Sequence, residues 1–226
     1  MTINFGNLVL KTPLFTFDFT YNLMRSFIAH TEDSINASIF EYIEKGPETY
    51  EIEICAEEGI YQYMEHYKGL DSQDVFLDDI FKNYFPSVQR RSALLTLVAT
   101  YEHELEHFCD IYAERHSSPI KLNDLKGQGL ERVDLFVKKI IGVKNSKIFP
   151  TIKKIIKLRN SCAHNDARVL EKDGQQIKAI EELINDVAIN VSQDGNQIHI
   201  AEGFLTFVLE QFYCYTNEIH TRIKEK

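Results

Sequence analysis

Tryptophan is absent from this chain, and methionine, cysteine and proline are scarce: three, four and five among 226 residues. The cysteines, Cys55, Cys109, Cys162 and Cys214, are widely scattered with no C-x-x-C pair. That spacing excludes a zinc ribbon or a disulfide scaffold and fits reduced thiols in a cytoplasmic protein. No apolar run approaches the ~18 residues that mark a membrane span, so no membrane partner is expected. The opening stretch, MTINFGNLVLKTPLF, has no basic segment leading into a long apolar one, and no secretion signal is expected. Low-complexity tracts and internal repeats are missing too. What is there is 44% apolar residues, enough for a real core. The length suits one domain, or a core domain with an extension.

Positive charge is in short supply overall, with a net charge of −9, but it is unevenly spread. Between Lys121 and Arg168 there are 12 Lys and Arg against 4 Asp and Glu, a net of +8. The rest of the chain holds 13 against 30, a net of −17. Such asymmetry fits either a local anion-binding region or a solvated basic helix face.

The apolar spacing predicts a mainly all-α fold. Helices are expected over 16–31 and 34–45, the second ended by the Lys-Gly-Pro-Glu stretch at 45–48. Residues 50–66 begin with strand-like alternation and continue with helical spacing, so their state is left open. Ser72 reads as the N-cap of a helix over 72–85, and Pro86 fits the first turn of a long helix to about residue 115. A connector rich in glycine precedes a helix over 130–141, with Leu130, Val133, Phe136, Val137 and Ile140 on one face. The next helix runs from Ser146 to His164 with Asn165 as its C-terminal cap. A β-hairpin near 187–200 turns around Asp194-Gly195, and an amphipathic helix over 201–222 closes the chain. Residues 1–85 read as an N-terminal helical extension and 86–226 as a helical core.

Two motifs compete for function. His103-Glu104-Leu105-Glu106-His107 matches H-E-x-x-H, the zinc-hydrolase pattern. With about 100° per residue, Leu94, Leu97, Val98, Tyr101, Leu105, Phe108 and Tyr112 form one stripe. His103 and His107 point away from it. A catalytic zinc needs a dry, shaped cavity and a third ligand, and no third histidine follows at metzincin spacing. The bland reading is a solvated face of Glu102, His103, Glu106, His107 and Asp110. No metal or other cofactor is expected, and a zinc hydrolase on His103, Glu104 and His107 is the remote alternative.

The second motif is Arg159-Asn160-x-x-x-His164. Taking Ile152 as zero, Ile148, Phe149, Ile152, Ile155, Ile156 and Ala163 form the apolar side of the helix, and Arg159 falls inside that side, near −20°. A guanidinium there requires a partner or a cleft. Asn160 and His164 are neighbours at i,i+4 on the adjoining flank, which Lys153 and Lys157 share. The bland reading is an Arg159 salt bridge to a core carboxylate, with His164 as a helix C-terminal cation. A second match to the bare spacing, Arg25 to His30, reads as a surface coincidence.

The Arg159 motif resembles the HEPN family, helical domains that often act as metal-independent RNases. Its signature is Arg, four to six residues, then His, frequently with Asn after the Arg. The preceding glycine-rich turn, amphipathic helix and isoleucine-rich helix are similar to bacterial HEPN sequences, and the resemblance covers about residues 86–222. It implies a helical bundle of HEPN type and a homodimer whose two motifs share one cleft. It also implies an endoribonuclease with Arg159, Asn160 and His164 as catalytic residues, with Lys153 and Lys157 holding RNA. Many members belong to toxin–antitoxin or anti-phage systems, which implies an antitoxin or defence partner protein. Some HEPN toxins carry a modified Tyr two residues after the His, where this chain has Asp166. The alternative is a catalytically silent module that binds RNA, a nucleotide or a protein.

Overall fold

The computed structural model describes residues 16–171 and 173–225. The N-terminal stretch read for a secretion signal lies outside the described residues. In chain order the elements are helix α1 (Asp18–Lys45), strands β1 (Glu48–Cys55), β2 (Ile60–Tyr67) and β3 (Leu70–Asp71), and helices α2 (Leu77–Asp79) and α3 (Phe85–Arg115), joined by a π turn over Ile80–Tyr84. Helix α4 (Gly129–Phe136) follows, continued by a π turn over Val137–Ile141, then α5 (Phe149–His164), α6 (Lys178–Ile184), strands β4 (Val191–Asp194) and β5 (Gln197–Ile200), and α7 (Phe204–Lys224). The fold is mostly helical, as expected.

The first helix is continuous where two were expected. Residues that read as a break bond within the helix or across to a neighbour instead. Thr31 Oγ1 donates to the Phe27 carbonyl at 2.8 Å, a back-bond that serine and threonine make inside helices. Glu32 accepts from the Arg90 Nε and Nη2 groups of α3, the shortest contact being 2.7 Å. The helix does end at the glycine: Gly46 has φ +63° and its N–H donates to Tyr42 O at 2.9 Å.

Residues 48–71 are a three-stranded antiparallel sheet in the order β1-β2-β3, which the expected helical extension did not include. The strand-like alternation at the start of the ambiguous stretch therefore decides its state. Tyr50 pairs with Met64, Glu51 with Tyr63 and Glu53 with Tyr61, so each of the two glutamates has a tyrosine as its cross-strand neighbour. Ser72 caps no helix. Its Oγ accepts from the Glu65 N–H at 2.9 Å, and the helix starts at Leu77. Pro86 does stand in the first turn of α3. It has no N–H for a carbonyl four residues back, and the wide π turn immediately before it accommodates that missing bond.

The main core gathers α3, α4, α5 and α7, and it also takes Phe17, Met24 and Ile28 from the start of α1. Every residue of the expected α3 stripe is buried. Tyr101 stacks on Phe212 of α7 with ring centres 4.5 Å apart. A smaller cluster of Tyr42, Tyr67 and Leu77 joins the far end of α1 to the sheet. On α4 the expected face holds through Val137, after which Ile141 is buried and Ile140 only half-buried. The π turn inserts one residue per turn and rotates the face by that amount. The expected second hairpin is β4-β5, with Asp194 pairing Gln197 across Gly195 and Asn196.

Candidate functional site

Helix α5 carries the motif. Its start is fixed by Ser146, whose Oγ accepts from the N–H groups of Ile148 and Phe149 at 3.2 and 3.0 Å. The regular helix begins three residues after the expected position, at Phe149. Phe149, Ile152, Ile155, Leu158 and Ser161 are buried. The buried face is therefore centred further round than expected. Leu158 lies in it, while Ala163 is exposed and Arg159 stands at its edge, half-buried.

The C-terminal end of α5 is held by a dense set of bonds. The Asn165 N–H and the Ala167 N–H both donate to Ser161 O, at 2.9 and 3.0 Å. Ser161 Oγ donates to Arg168 O at 2.5 Å, and Asn165 Nδ2 donates to Leu170 O at 2.7 Å. Asp166 and Ala167 adopt left-handed φ of +50° and +52°, which turns the chain sharply onto the β4-β5 hairpin. There Ile198 N donates to Ala167 O at 2.7 Å and Val169 N to Asn196 O at 3.0 Å. The hairpin is clamped in turn to the start of α3, through Ser87 Oγ to the Ile200 N–H at 3.0 Å and Arg91 to the Ile198 carbonyl. The motif thus ends in a rigid corner.

Arg159, Asn160 and His164 open into one cleft of about 1070 Å³, at the upper end of the ~300–1,000 Å³ typical of small-molecule sites. Lys157 lines it as well. Arg159 Nη1 donates to Asn160 Oδ1 at 3.0 Å. Arg159 Nε is buried and has no hydrogen-bond partner among the described residues. No carboxylate pairs with Arg159 among the described residues, so the salt-bridge reading of its inward position is not met there. His164 is exposed at the cleft. Lys153 is exposed with its ammonium 5.6 Å from the Phe149 ring centre, outside the cleft lining. Three further cations of the basic segment are already engaged, Arg132 with Glu106, Lys138 with Asp134 and Lys154 with Glu182.

The same cleft holds what the sequence reading missed. Glu102 of α3, assigned there to a solvated face, lines the same cleft, with Glu131 of α4 and Glu171 and Asp173 of the following loop. Glu102 is half-buried and packs against the backbone at the start of α4. A Cβ built on Gly129 would lie 2.6 Å from Glu102 Oε1, and Gly129 has φ +53°. Glycine is required there twice, by the backbone and by the carboxylate. The clue in the sequence is spacing. Val98 and Glu102 are i,i+4, so the buried Val98 brings Glu102 to the core's margin.

Asp166 stays out of the cleft lining, and its Oδ2 accepts from Gln197 Nε2 at 3.0 Å. The thiol inside the motif, Cys162, is pushed up to about 11 by burial, the nearby Arg91 charge opposing this. It is an inert packing residue at neutral pH. His103 and His107 are exposed, Glu104 is half-buried, and Glu106 pairs with Arg132 at 2.8 Å. No group of three or more His, Cys, Asp or Glu residues that could hold a metal ion occurs among the described residues. Arg25 and His30 are both exposed on α1, Arg25 lying over the Tyr21 ring. No helix is long and apolar enough to cross a membrane among the described residues.

No protein-family model, curated protein or solved structure matches the chain.

Proposed function

We propose that the chain is a metal-independent endoribonuclease of HEPN type, acting as a toxin or anti-phage effector, and that it works as a homodimer whose two motifs form a composite site. The observation that carries this reading is the half-buried Arg159. It stands beside Asn160 and His164 on one cleft, and no carboxylate pairs with it among the described residues. A guanidinium so placed offers its remaining donors to an anion, and its planar fork suits phosphate oxygens.

In the reaction the ribose 2′-oxygen attacks the adjacent phosphorus as its proton leaves to a base. The bond from phosphorus to the 5′-oxygen breaks, and that oxygen takes a proton from an acid. The products are a 2′,3′-cyclic phosphate and a 5′-hydroxyl. Imidazole can serve as base or acid near neutral pH, so His164 from each protomer divides the two roles. Arg159 stabilises the charge that grows on the phosphorane oxygens, and Asn160 orients Arg159 through its Oδ1. Lys153 and Lys157 hold the RNA backbone, an attraction that weakens with salt.

The test is cleavage of RNA in EDTA. The wild type cuts and leaves cyclic phosphate ends. Arg159→Ala and His164→Ala, verified as folded by circular dichroism, lose at least about 100-fold in rate, the usual scale for an acid–base or oxyanion group. A folded wild type that leaves RNA intact overturns the reading.

One observation favours a second reading, a silent HEPN-like module that binds RNA, a nucleotide or a partner such as an antitoxin. Four carboxylates line the cleft together with the cations, and their charge repels a long polyanion. Binding without product, together with unchanged toxicity of His164→Ala in cells, selects that module.

A further inference from the structure

The cleft is chemically two-sided. Helix α5 supplies Lys157, Arg159, Asn160 and His164, and α3 supplies Glu102. Apolar residues join the lining as well: Ile156, one turn before Asn160, and Ile177 are half-buried there, while Val98, one turn before Glu102, and Leu130 of α4 are buried. Phosphate chemistry accounts for the cations alone. It leaves a carboxylate and an apolar wall, which together are what a nucleobase requires: a surface for its flat face and acceptors for its edge.

Among the four carboxylates, Glu102 is distinct. Glu131 and Glu171 are exposed, and Asp173 already accepts from the Gln175 N–H at 3.0 Å. Glu102 is half-buried, its carboxylate forms no hydrogen bond or ion pair among the described residues, and it is held against the N-terminus of α4 at Gly129. The positive end of that helix favours a fixed negative charge at this place. A carboxylate held in position has two parallel acceptors. Guanine is the common base whose Watson–Crick edge presents two adjacent N–H donors, at N1 and the 2-amino group. Adenine and cytosine present a single amino group beside an acceptor nitrogen, which a carboxylate repels.

We propose that Glu102 reads the base, so that the cleft selects guanine with its N1–H and 2-amino group on the Glu102 carboxylate and its phosphate on Arg159. This rests on the endoribonuclease reading for its substrate, and the experiment separates the two. Cleavage sites are mapped on an RNA that contains every dinucleotide step, alongside the same RNA with inosine for guanosine. Binding of guanosine, inosine, adenosine, cytidine and uridine 3′-monophosphates is measured in parallel by calorimetry.

Cuts are expected next to guanosine on the order of 10- to 100-fold faster than elsewhere, the usual discrimination of a bidentate base contact. Inosine lacks the 2-amino group and recovers only part of this. Glu102→Gln, which replaces one acceptor by a donor, brings cutting at guanosine down to the level of the other bases. It likewise removes the tighter binding of guanosine 3′-monophosphate. Base-independent cutting by the wild type overturns the proposal, as does a guanosine preference that survives in Glu102→Gln. If the folded wild type cuts nothing, the endoribonuclease reading fails by itself. The nucleotide titrations then decide this proposal: a guanosine preference dependent on Glu102 upholds it, and equal binding of all five overturns it.

Discussion

At the scale of single residues, the site depends on groups whose surroundings fix what they can do. Gly129 is one. Alanine there would take a left-handed φ and set its methyl carbon against Glu102 Oε1. Gly129→Ala should lower stability by at least about 1 kcal/mol and weaken whatever binds at Glu102, read by thermal melts and by nucleotide titration. The cysteines divide in the same way. Burial raises the Cys109 thiol strongly and pushes Cys162 up to about 11, whereas Cys214 is exposed. A maleimide at neutral pH should label Cys214 promptly and leave Cys109 and Cys162 unmodified until the chain unfolds, as peptide mapping would show.

At the scale of elements, the joint between α1 and α3 is the sharpest test. The Arg90 and Glu32 side chains are only 6% and 13% exposed. Removing one partner of a buried pair strands the other, at a cost of about 3–5 kcal/mol. Glu32→Ala should therefore lower the urea midpoint markedly, while Glu57→Ala in the exposed β1-β2 turn should leave it unchanged. The elements also show where sequence patterns stop being informative. Helical spacing named the face of α3, because long regular helices repeat their burial faithfully. It misplaced Ile140 because a π turn is invisible to a fixed period, and it divided at 31–34 a helix that runs on unbroken, where Thr31 Oγ1 bonds back to the Phe27 carbonyl.

At the scale of the whole molecule, buried phenols set the alkaline limit. Burial and the Asp78 carboxylate push Tyr42 up to about 12 from an ordinary value of 10.0. Burial likewise raises Tyr101 and Tyr215, with Asp134 adding to the rise at Tyr215. The folded state thus keeps these phenols neutral where the unfolded chain would ionise them. Their stabilising contribution is complete below pH ~10 and is lost as pH climbs from about 10 through 12. Denaturant unfolding repeated across that range should show a falling midpoint, with tyrosinate absorbance appearing together with unfolding. The proposed homodimer makes a separate claim: light scattering should give twice the 26.3 kDa chain mass. RNA binding should lose affinity with salt, and Lys157→Ala should reduce that slope by roughly 1.

The sequence by itself determined the mostly helical character, the long central helix with its buried stripe, the β4-β5 hairpin and the pairing of Asn160 with His164 on one helix flank beside Arg159. These are local matters, set by periodicity, turn residues and i,i+4 spacing within single elements. Only the tertiary structure decided what faces that flank. Glu102 lies 57 residues before Arg159 in the chain, and no local pattern relates them. They line one cleft because α3 and α5 pack in one core, and because Gly129 leaves room for a carboxylate at the start of α4. Charges of both signs therefore line one cleft, and Glu102, which stands immediately before the His103–His107 stretch, is one of them.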